Sequence, residues 1–379
     1  MYKKIVDFIQ DLYKTTDFIP LHVPRFIGNE KKYVSDAIDS TFVSSVGAYV
    51  NRFEKEFAEY TTANFAIATV NGTSALHTSL LVVGVEENTE VITQSLTFVA
   101  TCNAISYIGA VPNFVDVDKD TMGLSPSILE KYLEEIVVMK NGVCFNKQTN
   151  RKISACVPMH TFGHACRIDE IVDICDKYNI PVVEDAAEAL GSTYKGKALG
   201  TFGKVAAFSF NGNKIITSGG GGAIITNDAE LAKKAKHLTT TAKVAHAYKY
   251  EHDMIGYNYR MPNLNAALLV AQLEQLDVFK EKKQFLVREY TEFFKNLSIE
   301  FVKEPIEGKS NYWLMALVLG NEKERDLFLE QTNEKRVMTR PIWGLMNELE
   351  MFNNCPKGNL SNSKWLEERV VNIPSSVII

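Results

Sequence analysis

Three short segments carry residue types whose spacing could place them around one ligand. The first is Asn71-Gly72-Thr73-Ser74-Ala75, between an apolar run and a stretch of helical character. Amides at a helix N-terminus point outward, and the helix dipole favours an anion there. Gly72 lets the backbone come close, and Thr73 and Ser74 add hydroxyl donors, so a phosphate would fit. The same residues read equally well as a plain N-cap. The second segment is Val182-Val183-Glu184-Asp185, two carboxylates that end a very apolar strand, with Glu188 close behind. Successive strand residues face opposite sides, so only one of the pair can face a given pocket. Such an acid either caps the next helix or, ionised, sits beside a cationic ring nitrogen. The third is Ser209-Phe210-Asn211-Gly212-Asn213-Lys214, followed by a glycine run that ends at Gly222. A lysine in so apolar a setting suits a Schiff-base amine, which must lose its proton to attack a carbonyl. Alone, it reads as a surface lysine on a turn. The glycines do not form a dinucleotide fingerprint, because a strand rather than a helix follows them.

Taken together, a phosphate cradle, a carboxylate for a pyridinium nitrogen and a lysine for an aldehyde are the partners pyridoxal 5'-phosphate (PLP) needs. Between Asp185 and Lys214 the chain has room for a connecting segment and one strand, so both can approach one ring.

The elements that must position these groups follow an α/β pattern. Strands are expected at Phe65–Val70, Glu90–Thr93, Pro112–Val117, Ile153–Met159, Ile180–Glu184, Val205–Phe210 and Gly222–Asn227, with helical segments between most of them. That alternation implies a mostly parallel sheet covered on both faces, with ligands beyond the strands' carboxyl ends. Helices are expected over Ile128–Met139 and Ile168–Tyr178, and Lys140–Lys152 as a polar, turn-rich insertion. After Pro262 the pattern changes to one long helix over Leu264–Leu297, a strand at Trp313–Val318 and a helix at Glu322–Glu334. The expected organisation is an N-terminal helical extension (1–28), a large α/β domain (29–262) and a smaller C-terminal α/β domain (263–379).

Composition excludes other classes. A chain of 379 residues with net charge −5 has no global field for nucleic acid. The six cysteines lack zinc or redox spacing and read as reduced thiols of a cytoplasmic protein. Asp7 and Asp11 interrupt the first apolar stretch, which reads as a short amphipathic helix rather than a signal peptide. No run is long and apolar enough for a membrane span. His160 and His164 are four apart, but Phe162-Gly163 breaks any helix between them, so no metal site is expected.

The segments NGTSALH (from Asn71), TFVATCNAI (from Thr97), HTFGHACRID (from His160), VVEDAAEALG (from Val182), FSFNGNKIITSGGGG (from Phe208) and YNYRMPNLNAAL (from Tyr257) resemble the DegT/DnrJ/StrS-type sugar aminotransferases. That resemblance implies PLP fold type I (aspartate aminotransferase-like): a large, mostly parallel seven-stranded-type sheet domain plus a smaller C-terminal α/β domain. It implies that Lys214 is the Schiff-base lysine and Asp185 the partner of the pyridine nitrogen. Gly72, Thr73 and Ser74, helped by Ser209, would bind the phosphate. Phe98 would lie against the ring, and Glu188 near its phenolic oxygen. Asn258 would reach the phosphate of a partner subunit, which implies a homodimer. Lysine at 214 argues against the dehydratases of the family, which carry histidine there. The implied reaction moves an amino group from an amino acid, glutamate, to a nucleotide-linked keto sugar. The expected acceptor is a UDP-4-keto-6-deoxy-N-acetylhexosamine made for a bacterial surface glycan. Arg260 and Arg340 are candidates for substrate anions, and equally for surface ion pairs. The lysine loop departs from the family in carrying Asn211-Gly212-Asn213 where glycine or proline is common. The N-terminal extension, FVSSVGAYVNRFE (from Phe42) and TRPIWGLM (from Thr339) resemble the legionaminic-acid-type subgroup.

Overall fold

The computed structural model describes all residues, 1–379. Its centre is a run of seven strands in the order Val111–Val115, Glu90–Gln94, Ile153–Val157, Val183–Asp185, Val205–Ser209, Gly222–Thr226 and Phe65–Thr69. The third and fourth are joined by parallel bridges, Cys156 to Val182 and Met159 to Asp185. Only Gly222–Thr226 runs antiparallel to its neighbours. The mostly parallel seven-stranded sheet expected from the sequence is therefore present.

Strand alternation divides the apolar side chains between two cores. Ile92, Val182, Ala206, Phe208 and Ile225 join one face, with Phe53 and Phe57 of helix Ala48–Thr61 and Ile171 of helix Ile168–Lys177. Val91, Val183, Val205, Ala207 and Ile224 join the other, with Leu76 and Leu80 of helix Gly72–Val82 and Ile105 of helix Val99–Ser106. A strand buried on both faces reads as a continuous apolar run, which is what 182–183 and 205–208 show.

Two helical expectations change. The helix expected over Ile128–Met139 is Pro126–Ile136; Val137–Lys140 instead pairs with Val143–Asn146 as a hairpin. Asn141 and Gly142 at its tip both have positive φ, 51° and 77°, as the tight two-residue turn requires. The single helix expected over Leu264–Leu297 is two, Asn263–Leu273 and Leu276–Phe294. The first is buried on most sides, whereas the second buries a stripe that includes Phe279, Lys283, Leu286, Tyr290 and Phe294. The change of burial pattern falls where the helix breaks.

The C-terminal part forms an antiparallel sheet ordered Glu300–Phe301, Met315–Val318, Val370–Ile373, Arg340–Pro341. Helix Tyr2–Tyr13 presses Tyr2, Ile5, Val6 and Ile9 into the same core as Leu286, Tyr290 and Phe328. No helix is long and apolar enough to cross a membrane.

Glu184 and Asp185 leave their strand on opposite sides, as alternation requires. Glu184 accepts from the amides of Gly200, Phe202 and Gly203, each at 2.7 Å, and faces His160 Nε2 at 3.0 Å. It thus ties the 200–203 turn to the sheet. Glu184→Gln points an amide donor at groups that also donate, and a buried mismatch of this kind costs about 3 kcal/mol. A lowered thermal midpoint is expected; an unchanged one would mean that the turn does not depend on this carboxylate.

Candidate active site

The carboxyl ends of the central strands open into a cavity of about 280 Å³. Gly72, Thr73, Phe98, Asp185, Glu188, Ser209 and Lys214 all line it. Trp313 and Trp343, from the C-terminal part, close the wall.

Each side chain has an identifiable support. Asn71 caps helix Gly72–Val82, its Oδ1 accepting from Ser74 N at 2.8 Å. The amides of Gly72 and Thr73 have no acceptor within the helix. A β-carbon on Gly72 would lie 2.7 Å from Ser209 Cβ, so glycine alone permits this approach of helix to strand. The Asp185 carboxylate is fully buried; Oδ2 accepts from the Thr101 hydroxyl at 2.7 Å and Oδ1 from Ala187 N at 3.2 Å. Burial raises its pKa, opposed by those two bonds and by the charges of Lys214 and His160. Behind it, His160 donates its amide to the Asp185 carbonyl at 3.2 Å.

Glu188 is also fully buried. Burial pushes its carboxyl up to about 7, against the pull of Lys214 and of the Phe162 amide, with Asp185 adding to the rise. Its Oε2 accepts from Phe162 N at 2.8 Å, which fixes Phe162 in a left-handed conformation, φ 57°. Its Oε1 lies 3.3 Å from Lys214 Nζ. On another side the same ammonium stands 3.8 Å from the centre of the Trp313 ring. Phe98 precedes helix Val99–Ser106 and is half exposed, its ring 6.4 Å from that of Trp343.

Four expected residues, Ser74, Asn258, Arg260 and Arg340, are not among those lining the cavity. Ser74 is buried in the first turn of helix Gly72–Val82. Its amide is held by the Asn71 cap and its carbonyl by the Thr78 hydroxyl. Asn258 is exposed, and its Oδ1 accepts from Arg260 Nε at 3.0 Å; Arg260 itself lines a separate hollow with Ser45, Asn51 and Lys243. Arg340 is exposed on the sheet edge. His160 and His164 diverge, the first toward Glu184 and the second edge-on to Tyr312. Sequence reasoning missed Thr101, Asn213, Trp313 and Trp343. Thr101 lies within a segment already singled out. The tryptophans carried a weak signal, being two of only three in the chain.

This donor set fits PLP. Free helix amides and the Thr73 and Ser209 hydroxyls suit a phosphate, the spare capacity of buried Asp185 suits a protonated pyridine, and Lys214 supplies a primary amine to the same space.

Comparison with known proteins agrees. The chain is 39% identical over 335 residues to the GDP-perosamine synthase of Escherichia coli O157:H7, covering 88% of this chain and 87% of that one. It is equally similar, 39% over 335 residues, to EpsN of Bacillus subtilis (strain 168), provisionally named a pyridoxal phosphate-dependent aminotransferase, with 88% and 84% covered. The crystal structure of DesI with its TDP-sugar product superposes with a TM-score of 0.83 at 26% identity, covering 94% of this chain and 88% of that one. The profile of the DegT/DnrJ/EryC1/StrS aminotransferase family matches residues 24–378, and the chain belongs to that family of PLP-dependent sugar aminotransferases.

Proposed function

We propose that the protein moves an amino group from L-glutamate to the ketone of a nucleotide-linked hexose, with Lys214 and Asp185 as its catalytic residues. The observation that carries this reading is the convergence of Lys214, Glu188 and Asp185 in one buried cavity. When bound, PLP supplies an aldehyde that takes up and gives back an amino group, and a protonated ring that withdraws electrons. Lys214 Nζ anchors the cofactor and moves the proton between carbon atoms. Asp185, as a carboxylate, holds the proton on the ring nitrogen. The amides of Gly72 and Thr73 and the hydroxyls of Thr73 and Ser209 hold the phosphate, with Ser74 fixing the turn behind them. Phe98 covers a ring face. Glu188, titrating near neutrality, accepts or returns a proton at Oε1 beside Lys214 Nζ.

The acceptor we favour is a UDP-4-keto-6-deoxy-N-acetylhexosamine destined for a surface glycan. The names of the GDP-perosamine synthases support a second reading, a GDP-linked keto sugar. Presenting UDP-, GDP- and TDP-linked keto sugars with 15N-glutamate separates them. Transfer of the label to none would favour a lyase. The working form we propose is a cytoplasmic homodimer in which Asn258 serves the partner's site. Its support is an exposed arm bearing Tyr248, Tyr250 and Ile255, each more than 80% exposed, and six free cysteines.

Borohydride reduction of the PLP-loaded protein should leave a mass tag on Lys214, and Lys214→Ala should abolish turnover; a tag on another lysine would overturn the assignment. Asp185→Ala should lower turnover about 100-fold or more, the scale of a lost preorganised electrostatic contact, and near-normal rates would mean that another acid serves the ring. The cofactor-free protein should also show the cost of burying Glu188. Its carboxyl is raised in the fold, so its contribution to stability is full below the ordinary value near 4.5 and is lost as pH rises through about 7. Glu188→Gln should flatten the fall in thermal midpoint between pH 5 and 8; an unaltered slope would place the titration elsewhere.

A further inference from the structure

Lys214 has to do two things in the proposed reaction. It must hold the cofactor, and it must stand aside when the donor's nitrogen takes its place. A freed amine that takes up a proton needs somewhere to rest, because the Lys214 side chain is only 13% exposed and an unpaired ammonium is costly when so far withdrawn from solvent.

The structure supplies two partners at Nζ, Glu188 Oε1 at 3.3 Å and the Trp313 ring face at 3.8 Å. They differ in kind. Glu188 titrates near neutrality and so cannot be a constant countercharge. The negative face of an indole does not titrate, and it is the strongest of the aromatic faces for a cation.

Trp313 is also immobilised on every side. It is 4% exposed. Its Nε1 donates to the Asn213 carbonyl at 2.6 Å, within the lysine's own loop. Its amide donates to Asn311 Oδ1 at 2.8 Å, and its carbonyl accepts from buried Lys283 Nζ at 2.8 Å. The Asn311 side chain donates in turn to the Glu188 carbonyl at 2.8 Å and the Leu190 carbonyl at 2.9 Å. One asparagine therefore fixes both walls of the resting place.

We propose that Trp313 is a positioning residue whose indole face, with Glu188, holds the Lys214 ammonium whenever that lysine is released from the cofactor. This rests on the aminotransferase reading above. The contact stabilises only the state in which the amine is free, so it favours the half of the reaction in which the donor displaces the lysine.

The test uses the full chain carrying Trp313→Leu, Trp313→Phe and, as a control that opens the same cavity without touching Nζ, Trp343→Leu. PLP-loaded protein is equilibrated with L-glutamate and 2-oxoglutarate, and the ratio of amine to aldehyde cofactor is read by absorbance. Trp313→Leu should lower that ratio about three- to thirtyfold, the range a desolvated ring–ammonium contact commands. Trp313→Phe, which keeps a ring, should stay within about threefold of the unaltered protein. Without cofactor, acetic anhydride should label Lys214 faster in Trp313→Leu by a similar factor, and at the ordinary rate in Trp343→Leu. An unchanged ratio in Trp313→Leu overturns the proposal. So does equal acceleration of labelling in Trp343→Leu, which would trace the effect to solvent access. Loss of cofactor binding in both Trp313 variants overturns it too, because the role would then be structural. Failure of unaltered Lys214 to take up PLP would instead sink the functional reading.

Discussion

Three ionisable side chains that are largely withdrawn from solvent meet at one cavity, and much of the surrounding structure serves to make that tolerable. Asp185 and Glu188 are both fully buried, and burial pushes both carboxyls toward their neutral forms. Lys214 pulls both the other way. Backbone amides do part of the same work, that of Ala187 for Asp185 and that of Phe162 for Glu188. The surroundings of the two acids differ. Asp185 keeps the Thr101 hydroxyl, the Ala187 amide and the charge of His160 at its back, whereas Glu188 carries the added repulsion of Asp185 and rises to about 7. Two carboxylates in unlike surroundings can take unlike roles.

The neighbour of Asp185 shows how strictly backbone geometry sorts these roles. Glu184 is as acidic by type and as deeply buried, yet it points to the other side of the strand. There it meets three amides and His160. His160 lies between Glu184 and the 166 turn, its Nε2 on Glu184 at 3.0 Å and its Nδ1 accepting from the Cys166 amide at 3.4 Å. The structural acid and the histidine thus form one buried hydrogen-bond network behind Asp185, whose carbonyl accepts from the His160 amide.

What the sequence revealed and what it hid follow one rule. Where a residue's position depends on the period of its own element, it was legible. The apolar runs at 182–183 and 205–208 read as strands buried on both faces, and the chemistry at their ends could gather along one sheet edge. The pairing of Glu184 with Asp185 could be divided between two faces before any coordinates. Where position depends on how distant elements pack, the pattern was silent. The hairpin after Ile136 hangs on the Asn141-Gly142 turn, a local signal masked by the helical periodicity that runs into it. The strand Val370–Ile373 forms only by pairing with residues near 315 and 340. Ser74 was grouped with Thr73 as a second hydroxyl donor, yet Thr73 lines the cavity and Ser74 is buried in the same turn without lining it. Asn258 sits in a recognisable segment but outside the cavity formed by its own chain.

Trp313 belongs wholly to the second kind. No period points it at Lys214, almost one hundred residues earlier in the chain. Its placement comes from a seam in which Ser310 and Asn311 bond to the Gly163, Glu188 and Leu190 carbonyls of the large sheet's loops. Those contacts are side chain to backbone, so they fix the C-terminal segment against the strand ends with little regard to the side chains of the loops they grip. A site built this way draws its reactive groups from the sheet, where alternation holds them to fixed directions. It draws its walls from the seam, where a change of one or two residues can reshape the cavity without disturbing the acids and the lysine. That division explains how the groups that do chemistry can be read from the sequence while the walls that shape the cavity cannot.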